Sequence, residues 1–158
     1  MAEPLSRSLA KAEAIAKARG SALTPVRRRV LSMILKAGRP VGAYELLAGL
    51  RTATGKAMPP TVYRTLDFLI AQGFVHRIES RNAFVACVEA ESPHRIQFAI
   101  CDSCGHTVES MDDDLARKLS RQAAKLGFKI ERQIVEMHGT CANCRNDAGA
   151  RGHPRHPA

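Results

Sequence analysis

The sequence contains no apolar run that approaches the about 18 residues needed to cross a bilayer as a helix. Charged side chains are scattered through the first segment, MAEPLSRSLAKAEAIAKARG, which is typical of an amphipathic helix and not of a secretion signal. Glycine and proline, 11 and 8 of 158 residues, are not in excess, so most of the chain is expected to fold. We therefore expect a globular cytoplasmic protein without a membrane partner.

The sequence also lacks a nucleophile motif and a glycine-rich loop that could hold phosphate groups. A catalytic zinc site needs an open coordination position and a nearby general base. The candidate metal sites described below each have four protein ligands, which leaves no open position. We therefore predict that the protein is not an enzyme and takes no small-molecule substrate.

The excess positive charge lies in the first half of the chain. Residues 1–82 contain 14 Lys and Arg against 5 Asp and Glu, whereas residues 83–158 contain 10 of each. A basic half joined to a neutral half indicates a nucleic-acid-binding module attached to another unit. A basic solvated surface is the alternative, because net charge says little about specificity. In the first predicted helix we expect Lys11, Lys17 and Arg19 to bind phosphates without sequence preference.

The first half predicts helices followed by a hairpin. Apolar spacing and stop signals such as Gly38 and Gly73 indicate helices over 4–19, 25–36, 43–51 and 61–72. After Gly73 the pattern changes to period two, which predicts strands over 74–78 and 83–88. We interpret residues 1–88 as a winged helix-turn-helix domain within an α+β protein.

The second half predicts a smaller mixed unit. Residues 89–93 form a polar break, which we interpret as a hinge. Strands are predicted over 94–100, 106–110 and 128–137, with a helix over 112–126. Residues 146–158 are rich in Gly, Pro and Arg and are predicted to be a disordered tail. In that tail, His153 and His156 are better explained as solvated side chains than as metal ligands.

Four of the five cysteines form two Cys-x-x-Cys pairs, Cys101 with Cys104 and Cys141 with Cys144. Each pair can direct two thiolates at one ion from a tight turn, and four sulfurs in a tetrahedron are typical of a closed structural zinc site. The 36 residues between the pairs exceed the usual zinc-ribbon spacing, so the fold must bring the pairs together. Redox disulfides are the alternative, although a chain without an export signal is not expected to keep them.

Four further residues could form a second metal site: His76, Cys87, His94 and Glu109. A hairpin turn centred on residues 81–82 would place residues 76 and 87 directly opposite each other, with Cβ atoms about 4.5–5.5 Å apart. An imidazole and a thiolate so placed could share an ion. Each residue also has an ordinary explanation, because a strand His or Glu is usually solvated and a lone Cys is usually packed in the interior.

The helix over 61–72 carries four candidate DNA-contacting residues near its N-terminus: Thr61, Tyr63, Arg64 and Thr65. In a helix-turn-helix the first residues of this helix meet base edges. Arginine can donate two hydrogen bonds to a guanine, and Thr and Tyr can reach phosphates or thymine methyl groups. An ordinary surface helix, with Tyr63 half in the core, is the alternative.

Together these segments resemble the ferric uptake regulator family over residues 23–144. The resemblance is carried by LTPVRRRVL, PPTVYRTLDFLIAQGFVHRIES, HRIQFAICDSCGHTVES and HGTCANC. It implies a winged-helix domain, an α/β dimerisation domain over 94–145, and operator DNA and a second copy of the chain as partners. It also implies structural zinc at the four paired cysteines, a regulatory metal at the four residues named above, and base contact by Tyr63 and Arg64.

One departure from the family pattern bears on the metal. Iron-sensing members and several others have a His-His-Asp-His run before the first Cys-x-x-Cys, whereas this chain has HRIQ at 94–97. Cys87 and the PPTVYR segment resemble the zinc-sensing branch, and thiolate suits zinc better than Fe(II). The resemblance therefore implies a zinc-responsive repressor of zinc uptake and homeostasis genes with two Zn²⁺ ions per monomer. A sensor of iron, manganese or peroxide from the same family, or a zinc protein that binds DNA without sensing, is the alternative.

Overall fold

The computed structural model describes residues 5–87, 96–130 and 133–147. The chain divides into two units, Met1–Pro93 and His94–Ala158. The hinge predicted at 89–93 lies outside the described residues, as do His94 and residues 148–158 of the predicted tail. Among the helices in the described ranges, none is both long and apolar enough to cross a membrane.

Four helices form most of the first unit: α1 (Leu5–Ala18), α2 (Pro25–Ala37), α3 (Ala43–Thr54) and α4 (Pro59–Ala71). The Thr24 side chain caps α2 by accepting a hydrogen bond from the Arg27 amide, as expected for a threonine at this position. Gly38 ends α2 at a φ of 59°, which costs glycine no steric strain. The four helices contribute one apolar face each to a shared core that includes Ala16, Val30, Leu46 and Leu66.

Three short strands complete the first unit: β1 (Val41–Gly42), β2 (Val75–Ile78) and β3 (Ala83–Ala86). β3 lies between β1 and β2 and is antiparallel to both. A single-turn helix, Glu79–Arg81, and Asn82 in the left-handed conformation connect β2 to β3. Helices followed by this wing confirm the predicted winged helix-turn-helix. The two-residue strand β1 was not predicted, because two residues show no periodicity.

The hairpin register differs from the prediction. His76 pairs with Val85, whereas the sequence analysis placed residue 87 opposite residue 76. The connection occupies residues 79–82, so the hairpin is centred one residue earlier than expected. Cys87 follows β3, and its amide donates to the Phe74 carbonyl at 2.9 Å. His76 and Cys87 are therefore diagonal neighbours on one face of the hairpin.

The second unit contains a three-stranded sheet and two helices: β4 (Ile96–Cys101), β5 (Thr107–Ser110), α5 (Asp113–Lys125), β6 (Ile134–Gly139) and α6 (Ala142–Asp147). β4 is central, antiparallel to β5 and parallel to β6. Parallel neighbours need a crossover connection, and the segment with α5 provides it. The Asp112 side chain caps α5 by accepting hydrogen bonds from the amides of Asp114 and Leu115 at 2.9 and 3.0 Å.

Two segments of the second unit differ from the prediction. The strand expected over 128–137 begins only at Ile134, because Phe128 still belongs to the end of α5: its amide donates to the Ala123 carbonyl at 2.9 Å, past Gly127 in the left-handed conformation. Helix α6 was not predicted, and it includes residues 146–147, which the sequence analysis assigned to the tail. Six residues are too few to show a helical period.

Candidate metal centre and nucleic-acid interface

The four paired cysteines meet at the C-terminal ends of the parallel strands β4 and β6. Cys101 is the last residue of β4, and Cys104 lies in the turn that follows. Cys141 directly precedes α6, and Cys144 lies within it. Since β4 and β6 are parallel neighbours, with Cys101 opposite Gly139, both pairs start from the same edge. The fold thus brings together the two pairs that are 36 residues apart in the sequence.

The sulfur atoms have the spacing of a tetrahedral metal site. All four lie within 4.8 Å of one another, and the Cys104 and Cys141 sulfurs are 3.8 Å apart. A tetrahedral ion with zinc–sulfur bonds of about 2.3 Å requires sulfurs about 3.8 Å apart. Each cysteine is a free thiol, and a disulfide would need sulfurs about 2.05 Å apart. The donor set and its spacing therefore fit a closed zinc site.

Backbone amides around Cys101 favour its thiolate. The Cys141 amide donates to the Cys101 sulfur at 3.4 Å. The pKa of Cys101 is lowered to about 6, mainly by this hydrogen bond. Hydrogen bonds from the amides of Cys104 and Ser103 also lower it. Hydrogen bonding to the side chain of Cys104 is the main cause that raises the pKa of Cys144. Four adjacent thiolates repel one another, and a divalent cation would offset that repulsion.

His138 connects the two cysteine-bearing segments. Its Nδ1 atom lies 2.9 Å from a carboxylate oxygen of Asp102, and the Asp102 amide donates to the Gly139 carbonyl at 2.8 Å. Gly105, at a φ of 77°, closes the first turn by donating to the Cys101 carbonyl at 2.9 Å. These bonds hold the first turn against β6. The Asp102–His138 pair was not predicted from the sequence, because no local pattern relates residues 36 apart.

Two of the four predicted regulatory ligands belong to the first unit. His76 on β2 is buried, and Cys87 is half-buried. A ring nitrogen of His76 and the sulfur of Cys87 lie within 4.8 Å of each other. In the second unit, Glu109 lies on β5 opposite Phe98 and is half-buried. His94 is outside the described residues, so the four-residue regulatory site stays a prediction.

Helix α4 begins at Pro59, two residues before its predicted start. Pro59 and Pro60 have no amide hydrogen, and the Thr61 amide donates to the Met58 carbonyl at 3.0 Å. The Arg64 guanidinium donates back to the Pro60 carbonyl at 3.3 Å through Nε, and this bond does not use its two terminal nitrogens. The first turn of α4 therefore offers side chains, and not backbone amides, to a DNA partner.

The four predicted DNA-contacting residues are not equally accessible. Tyr63, at 44% exposure, and Arg64 are exposed, and Thr61 is half-buried. Thr65 is only 5% exposed. It lies three residues after the buried Val62, on the face of α4 that packs into the core. The burial of Thr65 argues against a base contact there, whereas Thr61, Tyr63 and Arg64 remain predicted contacts.

The family model described as the ferric uptake regulator family matches residues 18–138 of this chain. The chain belongs to the ferric uptake regulator family. A zinc uptake regulation protein from Escherichia coli (strain K12) is 43% identical over 137 residues, which span 86% of this chain and 80% of that protein.

Two solved structures show the same likeness in three dimensions. A zinc uptake regulator complexed with zinc and DNA has a TM-score of 0.90 and 40% identity, and the match covers 94% of this chain and 99% of that chain. Holo XcZur has a TM-score of 0.82 and 47% identity, with 90% and 99% covered. The family resemblance stated from the sequence is confirmed, and the likeness extends over both units because so little of the chain is left uncovered.

Proposed function

We propose that this chain is a zinc-responsive transcriptional repressor. It binds double-stranded operator DNA as a homodimer when zinc is bound, and it controls genes of zinc uptake and homeostasis. The observation that carries the proposal is the likeness, over 94% of the chain, to a zinc uptake regulator complexed with zinc and DNA. The excess of basic residues in the first unit and the tetrahedral cysteine cluster in the second are what such a function requires.

We further propose two zinc ions per monomer with different roles. The structural ion is held by the four cysteines listed above, whose 3.8 Å sulfur separation matches a closed site. The regulatory ion is held by His76, Cys87, His94 and Glu109. The adjacent imidazole and thiolate of the wing support this assignment, because both are ligands that zinc prefers.

The regulatory ion couples zinc to DNA binding in the following way. Its ligands come from the proposed winged-helix domain, 1–88, and from the proposed dimerisation domain, 94–145, on either side of the proposed hinge, 89–93. Zinc therefore stabilises one arrangement of these domains by its differential affinity for that arrangement. In a dimer this fixes the spacing of the two α4 helices to that of two operator half-sites.

The base sequence of the DNA is read by side chains in the exposed N-terminal part of α4. The Arg64 guanidinium can donate two hydrogen bonds to a guanine in the major groove. Tyr63 and Thr61 can contact phosphates or thymine methyl groups. The remaining basic residues of the first unit add attraction to phosphates that does not depend on sequence and weakens with salt.

The test is DNA binding by the purified full chain during a titration of free zinc. The DNA is a duplex selected from a random library by the zinc-loaded protein, and a scrambled duplex serves as control. We expect tight binding to the selected duplex in zinc, reversal by a chelator, and no equivalent response to Fe(II) or Mn(II). Binding that is equally tight at all zinc concentrations indicates a zinc protein that does not sense. Binding that follows iron or manganese instead assigns the sensor to another branch of the family.

A further inference from the structure

Arg19, just beyond the end of α1, contacts the C-terminal end of α4. Its Nη1 atom donates to the backbone carbonyl of Gln72 at 2.6 Å. Gln72 is the C-terminal cap of α4, and α4 has no basic residue in its own last turn. The last carbonyls of a helix lack partners within the helix and carry partial negative charge, so a cation is favourable there. Arg19 supplies from another helix the charge that α4 lacks.

The backbone that carries Arg19 is itself fixed. Ala12 and Ala16 of α1 are buried in the core of the first unit, Ala16 completely. The Arg19 amide donates to the carbonyls of Ile15 and Ala16, both at 3.1 Å. An ion pair between Glu13 and Arg28 ties α1 to α2. The backbone at Arg19 is therefore held by a packed helix end, and its exposed side chain reaches from there to α4.

Other contacts of α4 lie along the sides of the helix and not at its C-terminal end. Val62, Leu66 and Leu69 are fully buried along its inner face, and the Arg27 guanidinium lies 3.5 Å from the centroid of the Phe68 ring. These packed side chains hold the middle of α4 firmly, but they do not satisfy the carbonyls of its last turn. A charge-assisted hydrogen bond at the helix end is directional. Arg19 is thus suited to hold the C-terminal end of α4.

We propose that Arg19 is a positioning residue for the reading of DNA. By binding the C-terminal carbonyl of α4, it holds the end of the helix that carries Tyr63 and Arg64 and so stabilises the orientation in which they meet the bases. Gln72 lies eight residues after Arg64, about 12 Å along the helix, so Arg19 acts at the end of α4 that is remote from the bases. This proposal rests on the proposed DNA-binding function, and it replaces the expectation that Arg19 binds phosphates.

The experiment compares Arg19→Gln with Lys17→Gln in the zinc-loaded full chain. Both variants remove one positive charge from the same region, and Lys17 is exposed on α1. Affinities for the selected duplex and for a scrambled duplex are measured between 50 and 200 mM salt, a range of about fourfold that resolves the salt slope. We expect Arg19→Gln to lower affinity for the selected duplex about three- to tenfold. Affinity for the scrambled duplex and the salt slope stay unchanged, and Arg19→Lys recovers part of the loss.

Lys17→Gln gives the contrasting pattern, a small and equal loss for both duplexes. If Arg19→Gln instead weakens both duplexes equally and reduces the salt slope by about one, Arg19 binds a phosphate and the positioning role is wrong. Unchanged affinity for the selected duplex also overturns it. In each of these cases the wild-type chain still binds DNA in response to zinc, so the proposed function stands.

A second measurement does not depend on DNA. Amide hydrogen exchange in the last turn of α4, including Gln72 and Gly73, is expected to be faster in Arg19→Gln than in Lys17→Gln, with equal melting temperatures for the two variants. Equal exchange in the two variants would show that Arg19 does not hold the end of α4. If the wild-type chain fails to bind DNA, the proposed function fails, and this measurement still decides whether the contact exists.

Discussion

Replacing Cys104 by serine is expected to unfold the second unit and to leave the first unit folded. Cys104 is exposed, whereas Cys101 is 3% exposed, so the substitution at 104 removes a ligand without opening a cavity in the core. A serine hydroxyl stays protonated near neutral pH and is a poor zinc ligand. The variant therefore tests the contribution of the metal separately from that of packing.

The expected magnitude follows from how little else holds the second unit. Among its described residues the large buried apolar side chains are Ile96, Phe98 and Ile100, all on β4, and each contributes about 1.5–3 kcal/mol. A structural zinc ion contributes an apparent 10–16 kcal/mol or so at neutral pH. If four ligands share this equally, loss of one removes about 2.5–4 kcal/mol. That is a large part of the about 5–15 kcal/mol by which a whole domain is stable.

The first unit has no such dependence, because its core draws on all four of its helices and on the wing. We expect Cys104→Ser to lose zinc to a chelator that does not strip the wild-type chain. Amide exchange should become fast in β4 and β6 and stay slow in α2 and α4. Ser103→Ala, an exposed position in the same turn that is not a ligand, is the matched control. A Cys104→Ser protein with full zinc content and unchanged exchange in β4 would refute the structural assignment.

Three further changes separate the remaining roles. Arg64→Ala should cost about 1–3 kcal/mol of operator affinity and relax specificity at one base of each half-site; equal loss on scrambled DNA would make Arg64 a phosphate contact. Cys87→Ser should leave a folded dimer that holds one zinc ion per monomer and no longer responds to zinc, as metal analysis and DNA binding on one preparation can test; normal zinc-dependent binding would return Cys87 to a packing role. Leu69→Ala, a fully buried position in α4, should destabilise the first unit by about 2–5 kcal/mol in denaturant titrations without loss of structural zinc; loss of the zinc held by the four paired cysteines would show that the second unit depends on the core of the first.

Local signals in the sequence were sufficient for the helices of the first unit. Thr24 before Pro25 predicted the start of α2, and Gly38 predicted its end, because capping and the left-handed conformation depend on adjacent residues only. The paired cysteines were equally readable, since two-residue spacing is a property of the turn itself. Each of these features is decided within a few residues of chain.

Features that depend on distant residues were not readable. The contact from Arg19 to Gln72 spans 53 positions, and charge pattern alone assigned Arg19 to phosphates. Thr65 is polar and stands beside Arg64, so composition placed it on the DNA face, whereas helical geometry turns it into the core. Phe128 is apolar and aromatic, which favours a strand, but its amide closes the end of α5. For Thr65 and Phe128 residue type gave the wrong environment, because tertiary geometry decides it.

The wing shows why His76 and Cys87 lie on the same face of the hairpin although the predicted register was wrong. Residue 76 was expected opposite residue 87 and pairs instead with Val85, an error of two residues. A shift of one would have turned Cys87 to the other face of the hairpin, but a shift of two keeps it on the same face as His76. Diagonal residues have Cβ atoms farther apart than directly opposed residues. The ring nitrogen of His76 and the sulfur of Cys87 nevertheless lie within 4.8 Å of each other. A tetrahedral zinc ion needs these atoms about 3.6 Å apart, which falls within that limit. The wing thus places two candidate zinc ligands together, and under the proposed function the remaining two would come from residues beyond the hairpin.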